Sequence, residues 1–357
     1  MQLIKDTVDF KFQNTAVALG KFDGIHLGHR RILREIARAK EEGYTTVIFT
    51  FSVPPASLLK GETESLLLTE EEKISLYGQL GVDVLIIYPV SHKFLATEAE
   101  SFLGDILCGQ LGMKLLIGGE DIHFGRNRRG DAAMAVRMAG KLGYRVKIIR
   151  KETVAEILQE NGDKEESETV GIDKLLRDDG EMGETSQDET RRKKPENRRK
   201  GGSGSISGEE VIGSTRIREC LQKGEIELAN RMLGYPYFFT GAIIHGKAVG
   251  RTLGFPTINL KTEPCKLLPA YGVYASETVL DGKIYQSITN IGVRPTVSDT
   301  MQPSVETYLF DFDRDVYGEK ATVRLLRFQR PERKFAGAEE LRAQIERDKE
   351  ERMSCVI

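Results

Sequence analysis

Short apolar runs alternate with amphipathic stretches over the first 150 residues. "TAVALG" (15–20), "TTVIFTF" (45–51), "VDVLIIYP" (82–89), "KLLIGG" (114–119) and "RVKIIR" (145–150) read as short strands. Between them, residues 29–42 place Ile32, Leu33, Ile36 and Ala37 on one face at helical spacing. "TEEEKISLYGQLG" (69–81) opens on Thr69 and acidic residues, a helix N-terminal signal. Strands alternating with helices predict a parallel, Rossmann-like α/β sheet.

The pattern then breaks. Residues 160–190 are acidic, and "RRKKPENRRKGGSGSISG" (191–208) is basic and then rich in Gly and Ser. The stretch 156–208 has few aromatics and no sustained period, which predicts a disordered, charged insertion acting as a linker. Two short helices follow, "STRIRECLQKG" (214–224) and "EIELANRMLG" (225–234). From about 238 to 328, segments such as "YFFTGAIIHG", "YGVYASETVL", "KIYQSITNIG", "SVETYLFDF" and "KATVRLLRF" are β-rich and broken by Gly, Pro and Asp. They predict an antiparallel barrel or sandwich. The tail 337–353 reads as a charged amphipathic helix. Two domains result, 1–235 and 236–357, as the length of 357 residues also leads one to expect.

Composition narrows the function classes. A net charge of −2 argues against a globally basic nucleic-acid binder. No apolar run approaches the ~20 residues of a membrane helix, and "MQLIKDTVDFKF" lacks the apolar stretch of a signal peptide. Cys108, Cys220, Cys265 and Cys355 are scattered, which predicts reduced thiols in a cytoplasmic protein without a zinc site. His92, His123 and His245 show no metal-ligand spacing; His92 is expected in a surface loop and His245 facing solvent or ligand.

The other two histidines are different. "LGKFDGIHLGHRRIL" (19–33) puts His26 and His29 between an apolar strand and a helix. A helix N-terminus offers unpaired N–H groups and a partial positive charge, so it receives phosphate readily. Gly24 and Gly28 would let the backbone come close to a ligand, and the turn lies where nucleotides bind in open α/β sheets. One histidine capping the helix and the other packing in the core is the alternative.

"HLGH" (26–29) resembles the HxGH signature of the nucleotidyltransferase superfamily, and "IGSTRIR" (212–218) resembles its second signature, SSTxIR, at Ser214, Thr215 and Arg218. The resemblance implies that protonated or hydrogen-bonding His26 and His29, together with Arg218, stabilise charge on ATP as an acceptor phosphate attacks its α-phosphorus. Gly20, Phe22, Asp23, Gly24 and Asp121 would share the ATP site. "GAIIHGKAVGRTLGFPTINL" (241–260) resembles the riboflavin kinase signature at Gly241, Gly246, Gly250, Arg251, Leu253, Gly254, Phe255, Pro256, Thr257 and Asn259. "NIGVRPT" (290–296) and "SVETYLFDFDRDVYG" (304–318) resemble later segments of the same family. Together the chain resembles the bacterial bifunctional riboflavin kinase/FAD synthetase family, in both domains and outside 156–208.

That resemblance implies two ATP- and Mg²⁺-dependent activities, riboflavin to FMN and FMN to FAD. It implies ATP phosphates in the Gly-rich loop with Lys247 and Arg251, Mg²⁺ at Thr257 and Asn259, and Glu306 as the base for the riboflavin 5′-hydroxyl. Small molecules are the implied partners, with neither nucleic acid nor membrane. The adenylyltransferase half departs from the pattern. Ser52, Val53 and Pro54 replace an acidic residue, a proline and a histidine; Ile122 replaces an aromatic; Gly213 replaces a serine. Two alternatives stay open: a kinase with an inactive N-terminal domain, and a flavin-sensing regulator that touches nucleic acid through the basic run.

Overall fold

The computed structural model describes residues 1–52, 65–151, 153, 156, 211–246, 250, 254–295 and 301–354. The expectations for Val53, Pro54, Lys247, Arg251, Leu253, Cys355 and, apart from Glu156, the 156–208 segment lie outside them. The flanks of that segment meet: Thr153 and Val211 form an antiparallel bridge.

The N-terminal half is a six-stranded parallel sheet in the order β1-β4-β3-β2-β5-β8. Its strands are β1 (Gln2–Lys5), β2 (Thr15–Leu19), β3 (Thr45–Phe51), β4 (Val84–Tyr88), β5 (Met113–Gly119) and β8 (Arg145–Ile149). A small hairpin, β6 (His123–Phe124) with β7 (Gly130–Asp131), follows β5. All of β2 is buried, with Ala16 and Ala18 in one apolar cluster and Val17 and Leu19 in the other. Burial on both faces is why these strands read as continuous apolar runs. The chain leaves β2 toward β3 on one side and returns later to β5 on the other. This order reversal makes the carboxyl ends of β2 and β5 the topological switch point, the usual ligand position in such sheets.

Helix α1 (Leu27–Glu41) buries Ile32, Leu33, Ile36 and Ala39. Ala37 is exposed, contrary to expectation: it is one residue, about 100°, round from Ile36, whereas Ala39 is two turns beyond Ile32. Helix α2 (Glu70–Gln79) starts in a capping box, with Thr69 accepting from the Glu72 N–H and the Glu72 carboxylate accepting from the Thr69 N–H. His92 begins a short helix, His92–Leu95, because Ser91 accepts from the Phe94 N–H and caps it; the loop expected there is absent. Helix α3 (Ala132–Leu142) precedes β8.

Helices α4 (Ser214–Lys223) and α5 (Ile226–Leu233) lead into a closed antiparallel barrel, β10-β13-β12-β11-β14-β9. Its strands are β9 (Tyr237–Ile244), β10 (Thr257–Leu260), β11 (Gly272–Leu280), β12 (Lys283–Pro295), β13 (Met301–Leu309) and β14 (Lys320–Pro331). Inward-facing Ser276, Thr278, Ser287, Thr289 and Thr307 are fully buried and bond to one another at 2.8–3.0 Å, so their hydroxyls remain satisfied. Helix α6 (Ala338–Ser354) closes one side. Its buried residues are Gln344, Asp348 and Arg352, so the face that docks is polar rather than apolar. Asp348 takes both Arg330 Nε (3.0 Å) and Nη2 (2.7 Å), and Arg352 donates to the Ser276 carbonyl.

Apolar burial joins the halves. Ile226, Leu228, Ala229, Met232 and Leu233 of α5 are buried in a core that runs from α1 into the barrel. Asn230 brackets the junction, donating to the Leu325 carbonyl and accepting from the Tyr237 N–H. A fully buried large aliphatic side chain contributes roughly 1.5–3 kcal/mol. The exposed Lys320–Glu71 pair across the same junction is worth about 0–1 kcal/mol, so packing dominates.

Candidate active sites

The loop between β2 and α1 has an unusual backbone. Phe22 (φ 46°), Gly24 (φ 87°) and Ile25 (φ 38°) all lie in the left-handed region, which disfavours a β-branched residue such as Ile25. For the non-glycine residues Phe22 and Ile25 this conformation costs about 1–3 kcal/mol each and persists only where surrounding contacts over-determine it. Here the contacts are specific. The buried Asp23 carboxylate accepts from Leu67 N (3.0 Å) and Leu68 N (3.4 Å) and pairs with the Arg218 guanidinium. Ser214 Oγ donates to the Asp23 carbonyl at 2.7 Å, and the Tyr235 hydroxyl donates to the Gly24 carbonyl. Phe22 packs edge-on against His29 and Tyr77. A Cβ on Gly24 would lie 2.8 Å from Leu67 Cδ1. Phe22, Asp23, Ser214 and Arg218 are thus brought together as the frame of the loop.

His26 occupies the N-cap of α1 with extended backbone, yet its side chain makes no cap bond. Its ring stacks on His29, centroids 3.7 Å apart and 20° from parallel. The Nδ1 atoms of both are buried without a hydrogen-bond partner. Burial, and then the neighbouring His29, push the His26 imidazole well below its usual range. Burial, helped by the Lys73 charge, lowers His29 to about 3. Of the two expected forms, protonated or hydrogen-bonding, burial favours the second: a neutral imidazole offers one N–H donor and one acceptor. Neutral N–H groups beside a helix N-terminus still favour an anion.

From β5, Gly119 leads to Asp121, which pairs with Lys151 Nζ at 2.9 Å; the two charges act on His26 with opposite sign. Ile122 and Phe124 are buried in the sheet's second core, so the substitution at Ile122 falls on packing. Thr215 is exposed in the first turn of α4. Gly213 is that helix's N-cap, where glycine in place of serine costs only a few tenths of a kcal/mol, roughly. Ser52 ends β3 with its N–H on the Tyr88 carbonyl.

Two contributors had no local signal. Lys73 sits in "EEEK", which reads as a solvated helix face, yet its charge acts on His29 and its own ammonium is lowered by burial against the opposing pull of Asp23. Residues Ser65–Leu68 form the strap on Asp23 and also accept the Arg218 Nε at the Ser65 carbonyl (3.2 Å).

The second site follows from strand register. Asn259 on β10 faces Glu306 on β13, and Glu306 faces Asn290 on β12, so the three share one face. Thr257 lies two residues from Asn259 and joins them. Thr257 also lines two adjoining cavities. One includes Gly246, Asn259 and Tyr317. The other, about 220 Å³, holds Glu306, Asn290 and apolar groups from Val273, Ile288, Tyr308 and Leu341. A Cβ on Gly246 would collide with the Asn259 side chain, which explains the glycine. Gly250 lines the second cavity, Gly254 turns at φ 85°, and buried Phe255 packs edge-on against Tyr308. Pro256 is exposed. His245 is exposed and stacks on Tyr317 at 3.6 Å. The contribution of Asn290 and α6 to this pocket was not foreseen; only the barrel closure brings them there.

Comparison with known proteins matches each half separately. An FAD synthetase family model covers residues 9–159, and a riboflavin kinase family model covers 233–356. A bifunctional riboflavin kinase/FMN adenylyltransferase of Bacillus subtilis is 32% identical over 343 residues, 94% of this chain and 91% of the relative. One from Listeria monocytogenes is 30% identical, covering 95% and 91%. A crystal structure of a Streptococcus pneumoniae protein named as a macrolide-efflux protein shares the fold, with a TM-score of 0.75 and 23% identity over 99% of this chain and 100% of that one. Both halves and nearly the whole length align with the same kind of relative: the chain belongs to the bifunctional riboflavin kinase/FMN adenylyltransferase family.

Proposed function

We propose that the barrel phosphorylates riboflavin to FMN and the α/β domain adenylylates FMN to FAD, each with ATP. The observation that carries the division is that one chain holds two phosphate-type sites of unrelated construction, one at a helix N-terminus and one on a strand face.

In the barrel, Thr257 stands on the wall between two cavities, one bordered by Gly246 and Asn259 and the other by Glu306 with Ile288 and Tyr308; we assign the first to the nucleotide and the second to the flavin. Glu306 accepts the proton of the riboflavin 5′-hydroxyl as that oxygen attacks the γ-phosphorus, and ADP departs. Thr257 and Asn259 offer neutral oxygens on one face, a donor set that suits a hard cation whose charge is balanced by the triphosphate. Among the described residues there is no cluster of three acidic, His or Cys ligands. Mg²⁺ held there would neutralise phosphate charge. Gly246, Gly250 and Gly254 belong to the proposed phosphate loop, to which Lys247 and Arg251 would add positive charge.

In the α/β domain, the FMN phosphate oxygen attacks the α-phosphorus of ATP and the bond to the β-phosphate breaks, releasing pyrophosphate. No enzyme nucleophile is needed. His26 and His29 donate N–H bonds to phosphate oxygens as charge shifts, beside the N-terminus of α1. Arg218 and Ser214 hold the loop that presents them, and Gly20, Asp121 and Thr215 are assigned to the same ATP site.

The kinase-only alternative is disfavoured by the intact frame around His26 and His29. The basic run that the nucleic-acid alternative needs lies outside the described residues. No helix among the described residues is long and apolar enough to cross a membrane, and Cys108, Cys220 and Cys265 are free thiols, which supports a cytoplasmic setting.

The test is to incubate the protein with ATP and Mg²⁺, plus riboflavin in one tube and FMN in another, and to separate the flavins. FAD in both tubes is expected. FMN in the first and no FAD in the second would restrict the chain to the kinase reaction.

A further inference from the structure

We infer that Lys266, a residue of the barrel domain, is a positioning residue for adenylylation at the other site. This rests on the reading that His26 and His29 serve FAD synthesis. Lys266 and Glu72 form an ion pair at 2.6 Å with each side chain 1% exposed. Lys266 belongs to the segment between β10 and β11 of the barrel, and Glu72 to α2 of the α/β domain. The same ammonium donates to the Leu67 carbonyl at 2.8 Å and lies over the rings of Tyr237, Phe238 and Phe239.

Glu72 is fully used. Its Oε2 accepts from Lys266 and the Thr69 N–H, and its Oε1 accepts from the Thr240 N–H of β9 at 3.0 Å. Beside it, Leu66 pairs with Lys266 in a parallel bridge, through Leu66 N to the Cys265 carbonyl (2.6 Å) and Leu267 N to the Leu66 carbonyl (2.8 Å). The strap 65–68 is therefore stitched to the barrel along one edge. Along the other it holds Asp23 through Leu67 N and Leu68 N, and Arg218 through the Ser65 carbonyl. Asp23 sits inside the loop whose left-handed Phe22 and Ile25 need such external support. Tyr235 and Tyr237 repeat the arrangement: one hydroxyl reaches the Gly24 carbonyl, the other the Leu267 carbonyl.

General adhesion between domains does not require this pair, since α5 supplies it with apolar surface. A buried ion pair is weak evidence for stability but well suited to fixing a register. Here the register it fixes is that of the strap against the loop leading into His26. None of these groups touches the kinase cavities.

The experiment uses the full chain with ATP, Mg²⁺ and FMN, and reads kcat and KM for FAD formation. Riboflavin phosphorylation by the same preparation is the internal control. Lys266→Met is expected to lower the FAD-forming kcat by about tenfold or more through misplacement of the loop, with riboflavin phosphorylation held within about twofold. Lys266→Arg is expected to recover part of the loss. A folded Lys266→Met protein with unchanged FAD-forming kcat, or one in which both activities fall by the same factor, would overturn the inference. Should Lys266→Met not fold, Glu72→Gln combined with Lys266→Met removes both charges of this pair; the loss of FAD formation is expected to persist, and its full return would equally overturn it. An unmutated chain that makes no FAD would instead refute the reading on which the inference rests.

Discussion

The two sites are assembled by opposite strategies. The barrel site is a product of regular pairing: once β10, β13 and β12 are in register, Asn259, Glu306 and Asn290 stand side by side. The proposed adenylyltransferase site is a strained loop held from far away, with Asp23 meeting Arg218 and Ser214 across more than 190 positions of sequence. A site built on strand register needs only the correct fold. A site built on a strained loop depends on every group that restrains it, including groups contributed by the neighbouring domain.

The largest separation between the sites is expected from Glu306→Gln. Removing the proposed base should cut riboflavin phosphorylation by roughly 10²–10⁴-fold, while FAD formation from supplied FMN stays at its original rate in the same assay. Equal loss of both would merge the sites. Next comes His29→Ala, which removes an N–H donor and one half of the stack. FAD formation should fall by about 10²–10³-fold with FMN formation intact, as read by chromatography of the flavins.

A subtler contrast lies in pH. His29 is lowered to about 3 by burial in the folded chain, against about 6.5 when unfolded. Between those values the unfolded chain binds more protons, so stability rises with pH and is lost as pH falls from 6.5 toward 3. For His29 alone the loss is on the order of 2 kcal/mol by pH 5, and His26 shifts in the same direction. Urea unfolding at pH 7.5 and pH 5 checks this, with His29→Ala expected to flatten the dependence. The smallest effect is expected from replacing residues 160–206 by a short linker. The flanks Thr153 and Val211 already pair, so both activities should stay within about twofold, as tolerated insertions at such joints do. Failure to fold would give this segment a structural role.

Sequence legibility follows the same divide. The barrel motif carries its own geometry, because Thr257 and Asn259 two apart on a strand necessarily share a face. The inner strands β2, β3, β4 and β5 were legible because burial on both sides makes them nearly uniformly apolar, whereas the edge strand β1, mostly exposed, carried no such run. HxGH identified the helix terminus but not the charge state of its histidines, which burial and stacking determine. The strap at Ser65–Leu68, Lys73 and Lys266 were illegible, since each is an ordinary residue whose importance comes from a partner in a distant segment. Ala37 and the polar inner face of α6 show the same limit: a helical period is visible in sequence, but the neighbour that selects the buried face is not.

The central claim is that two separately built sites carry two successive reactions in one chain. Mixing Glu306→Gln with His29→Ala in one tube, with riboflavin, ATP and Mg²⁺, tests it most directly. Neither variant alone should convert riboflavin to FAD, whereas the mixture should, because FMN made by the His29→Ala barrel can be adenylylated by the Glu306→Gln α/β domain. A mixture that accumulates no FAD, under conditions where the unmutated chain produces it, would contradict the account.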